Sequence, residues 1–182
     1  MTLSDPPLVT ARLVLEPLLP AHADALFASL QDERLYRFIP TDPPVSLATL
    51  TERYTRLARR QSPDGRETWL NWAIRHVAWD AYVGLTEATL RPDGTCYIAY
   101  SVFPDYWQQG IAREACEAML ARLTVTARPT RLVAEVDTRN AASIGLLQAL
   151  GFTRVATTAD ADWFKGATSH EHRFERPGLA TA

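Results

Sequence analysis

The chain has 182 residues, of which 47% are apolar, and it carries a formal net charge of −2 at pH 7. This length predicts a single domain over residues 1–182, with its core at about 10–175, and the weak net charge gives no sign of a nucleic-acid partner. The apolar runs are too short for a membrane span and the N-terminal MTLSDPPLV is no secretory signal, so we expect a cytoplasmic protein without a membrane partner.

The first half of the chain is predicted to contain a strand, two helices and a group of strands. Leu13 and Leu15 alternate with less apolar residues, which indicates a strand, and apolar residues at helical spacing follow over 21–31. Prolines end that segment, and Ser46 is a favourable N-cap for a second helix over 47–61. Alternating apolar and polar residues then predict three strands, over 68–77, 81–90 and 96–103.

The second half is predicted to alternate helices with strands. The segment DYWQQGIAREA, residues 105–115, leads into a helix at roughly 112–127, and a strand over 130–137 precedes a helix over 141–150. Gly151 follows that helix, where a left-handed C-cap is expected. The last two strands are predicted over 152–164 and 167–175. This order predicts an α/β fold, or α+β by some schemes, with a mixed sheet.

The segment DYWQQGIAREA has the features of an anion-binding turn. The first turn of a helix has unpaired backbone N–H groups and a partial positive charge, which together suit phosphate oxygens. Gly110 and Ala112 leave room for a bulky anion beside the backbone. Gln108, Gln109 and Arg113 add side-chain donors. An ordinary strand-to-helix turn has the same local pattern, so the segment alone leaves both interpretations open.

A second segment, about thirty residues further on, makes the pattern more specific. In AEVDTRNAASIGLLQALGF a strand ends near Asn140, Ser143 follows three residues later, and a helix ends at Gly-Phe. YWQQGIAREA and NAASIGLLQALGF, in this order, resemble the coenzyme-binding motifs of the GNAT superfamily of N-acetyltransferases. TARLVLEPLLPAHADALF, which begins at Thr10, resembles the start of the RimJ/RimL-type branch, which contains ribosomal-protein N-terminal acetyltransferases.

The resemblance implies a fold and a reaction. The fold would have a mixed, mostly antiparallel central sheet, splayed between its fourth and fifth strands and flanked by about four helices. The reaction would transfer an acetyl group from acetyl-coenzyme A (acetyl-CoA) to a primary amine, by direct attack of the amine on the thioester. The acceptor would be a protein N-terminal α-amine or a small-molecule amine. No metal is implied, and a monomer and a homodimer are equally compatible.

The resemblance also implies which residues bind the coenzyme. The pyrophosphate would be held by the backbone amides of one loop, formed by Gln108, Gln109, Gly110, Ile111, Ala112 and Arg113. Val102 and Phe103 end the preceding strand, whose free backbone groups would pair with the pantetheine, with one amide facing the thioester oxygen. Asn140 matches a position that contacts the coenzyme.

The catalytic roles rest on the same resemblance. Glu135 stands five residues before Asn140, where related N-terminal acetyltransferases carry a glutamate base; a solvent-facing strand residue is the alternative. Leu147 replaces the tyrosine that many members use as the acid, so Ser143, a water molecule or no acid would serve the leaving thiolate. The missing tyrosine keeps open a non-catalytic acyl-CoA-binding module, and an acyltransferase with a different acyl-CoA donor is a further alternative.

The acceptor is expected in a cleft between the first two helices and the central strands. Aromatic residues that could line it are Tyr36, Phe38, Trp69 and Trp72. Arg34 and Arg37 could meet an acidic acceptor, although exposed arginines are more often simply solvated.

The histidines and cysteines give no further chemistry. His170 and His172 share one face of a predicted strand but lack a third ligand for a metal, with Glu171 expected on the other face. Cys96 and Cys116 are predicted to be free thiols.

Overall fold

The computed structural model describes residues 6–178. Within this range eight strands are found: β1 (Leu8–Val9), β2 (Leu13–Pro17), β3 (Thr68–His76), β4 (Ala81–Leu90), β5 (Thr95–Val102), β6 (Arg131–Asp137), β7 (Thr153–Phe164) and β8 (Ala167–Pro177). The same range contains four α-helices: α1 (His22–Phe27), α2 (Leu47–Leu57), α3 (Ile111–Thr126) and α4 (Ala141–Ala149). No helix in the described range is long and apolar enough to span a membrane.

The strands form one mixed sheet in the order β1-β2-β3-β4-β5-β6-β8-β7. Within the described range, β5 and β6 form its one parallel pair and the other neighbours are antiparallel. The predicted mixed, mostly antiparallel sheet with four helices is therefore confirmed. The short strand β1 was not predicted, and it shifts the strand numbers by one.

The parallel pair is the place where the sheet opens. β5 and β6 are paired only from Thr95 with Arg131 to Tyr97 with Val133. Beyond that point β5 continues to Val102 and β6 to Asp137 without pairing to each other. This is the predicted splay, between the fourth and fifth strands as the sequence numbered them.

Each face of the sheet carries its own apolar core. On one face, α3 and α4 pack through residues such as Met119, Leu123 and Leu147. On the other face, α1 and α2 pack through residues such as Leu26, Leu50 and Tyr54. The cleft described below opens where the two halves of the sheet separate.

Local signals explain where the helices begin and end. Ser46 caps α2 as predicted, because its hydroxyl accepts a hydrogen bond from the Thr49 N–H at 3.1 Å. Gly151 follows α4 with φ of 81°, the left-handed conformation expected after a helix end. The first predicted helix is shorter than expected, since α1 ends at Phe27 and a 3-10 turn, Ser29–Gln31, takes its place.

Candidate active site

A cleft of about 270 Å³ lies where β5 and β6 separate. Both strands contribute to its wall, α4 forms one end through Asn140 and Ser143, and the loop at Phe38 covers it from the side of α1 and α2. Four carboxylates also line it: Glu135, Asp137, Asp162 and Glu171. The predicted base, the predicted serine and the predicted coenzyme-contacting asparagine are therefore neighbours around one cavity.

The hydrogen-bond register of β5 leaves backbone groups directed at the gap. The bonds Arg91 N–H to Thr95 O and Phe103 N–H to Val83 O, each 2.9 Å long, show that odd-numbered residues of β5 bond to β4. Because alternate residues of an antiparallel strand face opposite neighbours, the N–H and C=O groups of Ile98, Tyr100 and Val102 point away from β4, towards the splay. An extended ligand can pair with these groups as an added strand would.

The end of β5 refines the prediction for Val102 and Phe103. The Phe103 amide is already bonded to β4, so of the two residues only Val102 directs its N–H into the gap. The Val102 carbonyl oxygen accepts a hydrogen bond from the indole Nε1 of Trp107 at 2.6 Å. Trp107 therefore ties the loop before α3 to the edge of the cleft.

The loop before α3 has the backbone of an anion site. Gly110, the N-cap of α3, adopts φ of 77°, and Gln108 also has a positive φ, of 60°. Among the described residues, none accepts a hydrogen bond from the backbone N–H groups of residues 108–113, and no side chain caps the helix. This first turn therefore offers a set of free donors together with the positive end of a sixteen-residue helix.

Contacts from the N-terminal segment hold this loop in place. Arg12 donates from Nε to Glu114 Oε2 at 2.7 Å and from Nη1 to the Gln109 carbonyl oxygen at 3.0 Å. The Thr10 hydroxyl donates to the other oxygen of the same carboxylate at 2.6 Å. Glu114 thus anchors the first turn of α3 from the side, which leaves its N–H groups uncovered.

The side chains of the loop contribute less than its backbone. Ile111 is 1% exposed and packs in the core, so only its amide can reach a ligand. The Gln109 side chain donates to the Asp105 carbonyl oxygen at 3.3 Å, and Arg113 pairs with Glu117 at 2.8 Å on the surface of α3. The Gln108 side chain makes no hydrogen bond to another described residue, and Ala112 has no polar side-chain atom.

Asn140 and Ser143 meet at the start of α4. The Asn140 Oδ1 atom accepts a hydrogen bond from the Ser143 N–H at 3.1 Å, so Asn140 is the N-cap of the helix. No described residue accepts a hydrogen bond from its amide nitrogen, which can therefore donate to a ligand. The Ser143 hydroxyl lies 2.8 Å from the Tyr100 hydroxyl, which also lies 3.3 Å from the Ser143 carbonyl oxygen.

Tyr100 is a site residue that the sequence analysis missed. The family resemblance implies a tyrosine in the last helix, but Leu147 occupies that position and is 1% exposed. The alternation of β5 places Tyr100 on the same face as Ile98, which packs towards α3 and α4. This alternation is the sequence feature that could have placed Tyr100 near α4. Burial raises the pKa of the Tyr100 phenol well above its usual value, so the hydroxyl stays protonated and holds Ser143 at the cleft wall.

Two of the four carboxylates form ion pairs with arginines, although the arginine beside Glu135 also pairs with Glu175 at 2.8 Å. The hydrogen bonds from Arg139, with Nη2 2.6 Å from Asp137, lower the pKa of that carboxyl to about 2, and the Ser169 hydroxyl, donating at 2.7 Å, acts in the same direction. Glu135 lies 3.0 Å from Nη1 of Arg173, its partner on β8. Both acids therefore stand in the cleft as ion pairs.

Glu171 is different, because no arginine faces it among the described residues. Burial and the neighbouring carboxylates, Glu135 foremost, raise the pKa of Glu171. Local sequence pattern shows Glu171 only as a neighbour of two histidines, because its pairing with Asp137 depends on the register of β6 and β8. Within residues 6–178 no three His, Cys, Asp or Glu side chains are placed to hold a metal ion.

Of the aromatic residues proposed to line the acceptor cleft, some lie at the cleft and others are buried in the core. Phe38 lines the cleft, and Phe164 from the end of β7 faces it. Trp72 does not line the cleft; it is 2% exposed in the core on the α3 and α4 face, because its strand directs even-numbered positions to that side. Tyr36 is 8% exposed and donates its hydroxyl to the Leu30 carbonyl oxygen, so it supports the loop from within.

Comparison with known proteins agrees with the geometry. The family model for the acetyltransferase (GNAT) domain matches residues 12–153. No curated protein shows significant sequence similarity to the chain.

Several solved structures have a similar fold. The ribosomal L7/L12 α-N-protein acetyltransferase RimL, solved in complex with coenzyme A, is 17% identical with a TM-score of 0.83 over 94% of this chain and 97% of its own. An acetyltransferase from Salmonella typhimurium, described as modifying the N-terminal serine of ribosomal protein L7/L12, is 16% identical, with a TM-score of 0.79 over 92% and 96%. A GNAT-family acetyltransferase from Bacillus anthracis is 15% identical, with a TM-score of 0.77 over 94% and 98%.

Proposed function

The chain belongs to the GNAT acetyltransferase domain family, and on that premise we propose that it transfers an acetyl group from acetyl-CoA to a primary amine. The acceptor is a protein N-terminal α-amine or a small-molecule amine. The observation that carries this proposal is the row of unpartnered backbone amides at the start of α3, beside a gap in the sheet wide enough to form a cleft. Acetyl-CoA supplies the acetyl group as a thioester.

The residues present fit the coenzyme in three places. The free amides of residues 108–113 suit the diphosphate. The backbone groups of Ile98, Tyr100 and Val102 suit the amides of the pantetheine arm. The Val102 N–H is the donor that would stabilise charge on the thioester oxygen, an interaction worth about 3 kcal/mol in comparable sites.

The acceptor amine must lose a proton before it attacks. At pH 7 deprotonation costs about 4.6 kcal/mol for an amine with pKa near 10.4, but only about 1 kcal/mol for an α-amine near 7.8. Glu135 is the base that we propose, acting directly or through a water molecule, and Glu171 is a second carboxylate within the same cleft. The low cost for α-amines supports an N-terminal acceptor.

The bond changes then involve few groups of the protein. The amine attacks the carbonyl carbon, the C–N bond forms, the C–S bond breaks, and the amine proton passes to the carboxylate. The thiolate leaves next to Ser143, whose hydroxyl is held by Tyr100 at 2.8 Å and can donate the proton that the thiolate takes up. Ser143 therefore serves where Leu147 replaces the usual tyrosine acid.

Thiol release with a panel of amines tests the proposal. Both cysteines are 0% exposed, and burial raises the pKa of Cys96 to about 11 and of Cys116 to about 12, so the folded protein should contribute no thiol signal of its own. We expect one acetylated amine per thiol released, with peptide α-amines faster than lysine-type amines at pH 7. Propionyl-CoA and succinyl-CoA, tested in parallel, identify a different donor preference.

The missing tyrosine, replaced by the buried Leu147, is the one observation that favours a non-catalytic acyl-CoA-binding module. A module would bind acetyl-CoA saturably but release no thiol above the hydrolysis rate with any amine. Failure to bind acetyl-CoA at all would reject both the enzyme and the module.

A further inference from the structure

A second cavity of about 300 Å³ adjoins the cleft and has the opposite charge character. Its lining residues are Arg37, Phe38, Arg139, Phe164, Lys165 and Ala167. Three of the six are cations and none is an acid. The neighbouring cleft, by contrast, is lined by four carboxylates and no lysine or arginine.

Two phenyl rings belong to both cavities. Phe38 and Phe164 line the acidic cleft on one side and the basic cavity on the other. Each ring also has a guanidinium near it, with Arg37 5.1 Å from the centre of the Phe38 ring and Arg139 5.9 Å from that of Phe164. A molecule that spans both cavities would therefore meet carboxylates at one end and cations at the other.

The three cations are not equally free to bind a ligand. Arg139 holds Asp137 through Nε and Nη2, and Lys165 donates to Asp42 and to the Thr41 carbonyl oxygen, each at 3.0 Å. Arg37 has no carboxylate within ion-pair distance among the described residues, and its guanidinium lies over the Phe38 ring. The basic cavity thus carries about one uncompensated positive charge, which matches one carboxylate.

The placement of Lys165 also has a conformational cost. Lys165 and Gly166 form the two-residue turn between β7 and β8, with φ of 51° and 74°. Such turns favour asparagine or glycine at the first position, and a lysine is disfavoured in this left-handed conformation. A long cationic side chain is therefore held at the rim of this cavity despite a less costly alternative.

We propose that the basic cavity binds a carboxylate of the acceptor, so that the preferred acceptor is a peptide-like amine with a carboxylate within its first few residues. The reactive amine would enter the acidic cleft, and the carboxylate would pass Phe38 and Phe164 to reach Arg37. This inference rests on the proposed function for the identity of the cleft, but the carboxylate site itself can be tested by binding alone.

Matched peptides provide the test. C-terminally amidated tetrapeptides Ser-Ala-Ala-Ala carry Asp, Asn or Lys at position two, three or four, and Ser-Ala and Ser-Ala-Ala are compared as free acids and as amides. Binding to the CoA-loaded protein is measured by calorimetry, and kcat/KM by thiol release from acetyl-CoA. We expect Asp to exceed Asn by about tenfold at one position, with Lys weaker than both. Preference for the short free acids would instead identify the C-terminal carboxylate as the group that binds.

Arg37→Gln is the variant that removes the uncompensated charge, and Arg66→Gln is its control, an exposed arginine outside both cavities. We expect Arg37→Gln to reduce the Asp-to-Asn ratio below twofold while the Asn peptide binds as before, and Arg66→Gln to leave the ratio unchanged. Higher salt should lower the ratio in the wild type.

Equal binding of carboxylate and amide peptides at every position would overturn the inference, and so would an equal loss for all peptides in Arg37→Gln. Absence of binding by every peptide would also overturn it. A carboxylate preference in binding without any thiol release would contradict the proposed function but not the carboxylate site.

Discussion

At the scale of single residues, the cleft contains carboxylates in different electrostatic states. Asp137 and Glu135 are held by arginines, whereas Glu171 is crowded by other acids and partly buried. The Asp137 side chain is 1% exposed and serves the structure, whereas the Glu135 side chain is 39% exposed and can meet a substrate in the cleft, as can Glu171.

Glu135→Gln should lower kcat/KM by about 100-fold at neutral pH, because a general base contributes on the order of 10²-fold or more. Glu171→Gln should lower it less than tenfold and should remove the loss of rate that occurs as pH falls through the raised pKa of Glu171. Measuring kcat/KM as a function of pH for the wild type and both variants tests these expectations. If Glu171→Gln loses the larger factor while Glu135→Gln keeps its activity, Glu171 is the base.

Asp137→Asn should destabilise the fold in a pH-dependent manner. The folded pKa of about 2 is below the ordinary 3.8, so the carboxylate contributes about 2 kcal/mol above pH 3.8 and loses this contribution as pH falls towards 2. Urea unfolding at several pH values between 7 and 2.5 should show the gap between wild type and variant closing over that window. The exposed Asp160→Asn serves as the control, and a gap that stayed constant to pH 2.5 would contradict the ion pair with Arg139.

The role of a residue could be predicted only where the residue belongs to a short sequence motif. The roles of Asn140 and Ser143 were predicted through the resemblance of their segment to a family motif, and the structure places both residues at the cleft with Glu135. Tyr100 was not predicted, because its contact with Ser143 joins residues 43 positions apart in the chain. Glu171 was not predicted for the same reason, since its surroundings depend on the pairing of β6 with β8.

At the scale of elements, the start of α3 determines whether the coenzyme can be held. The left-handed conformation of Gly110 directs the following amides outward, and the ion pair between Arg12 and Glu114 fixes the turn without covering these amides. Glycine is required here for its conformation, since a Cβ would meet only Arg12 Nη2 at 3.4 Å, an ordinary contact.

Gly110→Ala should therefore act through the backbone. We expect a loss of about 1–2 kcal/mol in stability and at least tenfold weaker acetyl-CoA binding, because alanine disfavours the φ of 77°. Gly145→Ala is the matched control: it lies within α4 with nothing within 4 Å of the added Cβ, so it should stabilise by about 0.5–1 kcal/mol and leave binding unchanged. Thermal unfolding and calorimetric titration measure both, and normal affinity in Gly110→Ala would show that the turn does not hold the ligand.

Most elements could be predicted from the sequence because periodicity and caps are local. The strands at residues 68–77, 81–90 and 130–137 and the helix at 141–150 agree with β3, β4, β6 and α4 to within a residue or two. The assignment of Trp72 to the cleft was wrong, because alternation tells which residues share a face but not which face a helix will cover. The strand β1 has only two residues, too few for any periodic signal.

At the scale of the whole molecule, function depends on the incomplete pairing of β5 with β6. Three residue pairs hold the strands together at one end, and the remaining backbone of β5 faces the gap. The apolar cores on both faces of the sheet keep the two halves apart at fixed positions. The length of strand pairing is a tertiary property, so the splay could be expected only through the resemblance to a family.

We propose that free amides at the start of α3 bind a diphosphate at the mouth of this gap. Calorimetric titration of the wild-type protein with acetyl-CoA and with acetyl-pantetheine, which lacks the diphosphate and the nucleoside, tests it most directly. We predict saturable binding of acetyl-CoA at one site and binding of acetyl-pantetheine weaker by roughly 100-fold, since two or more charge-assisted hydrogen bonds are lost. Equal affinity for the two compounds, or no saturable binding of acetyl-CoA, would contradict the account.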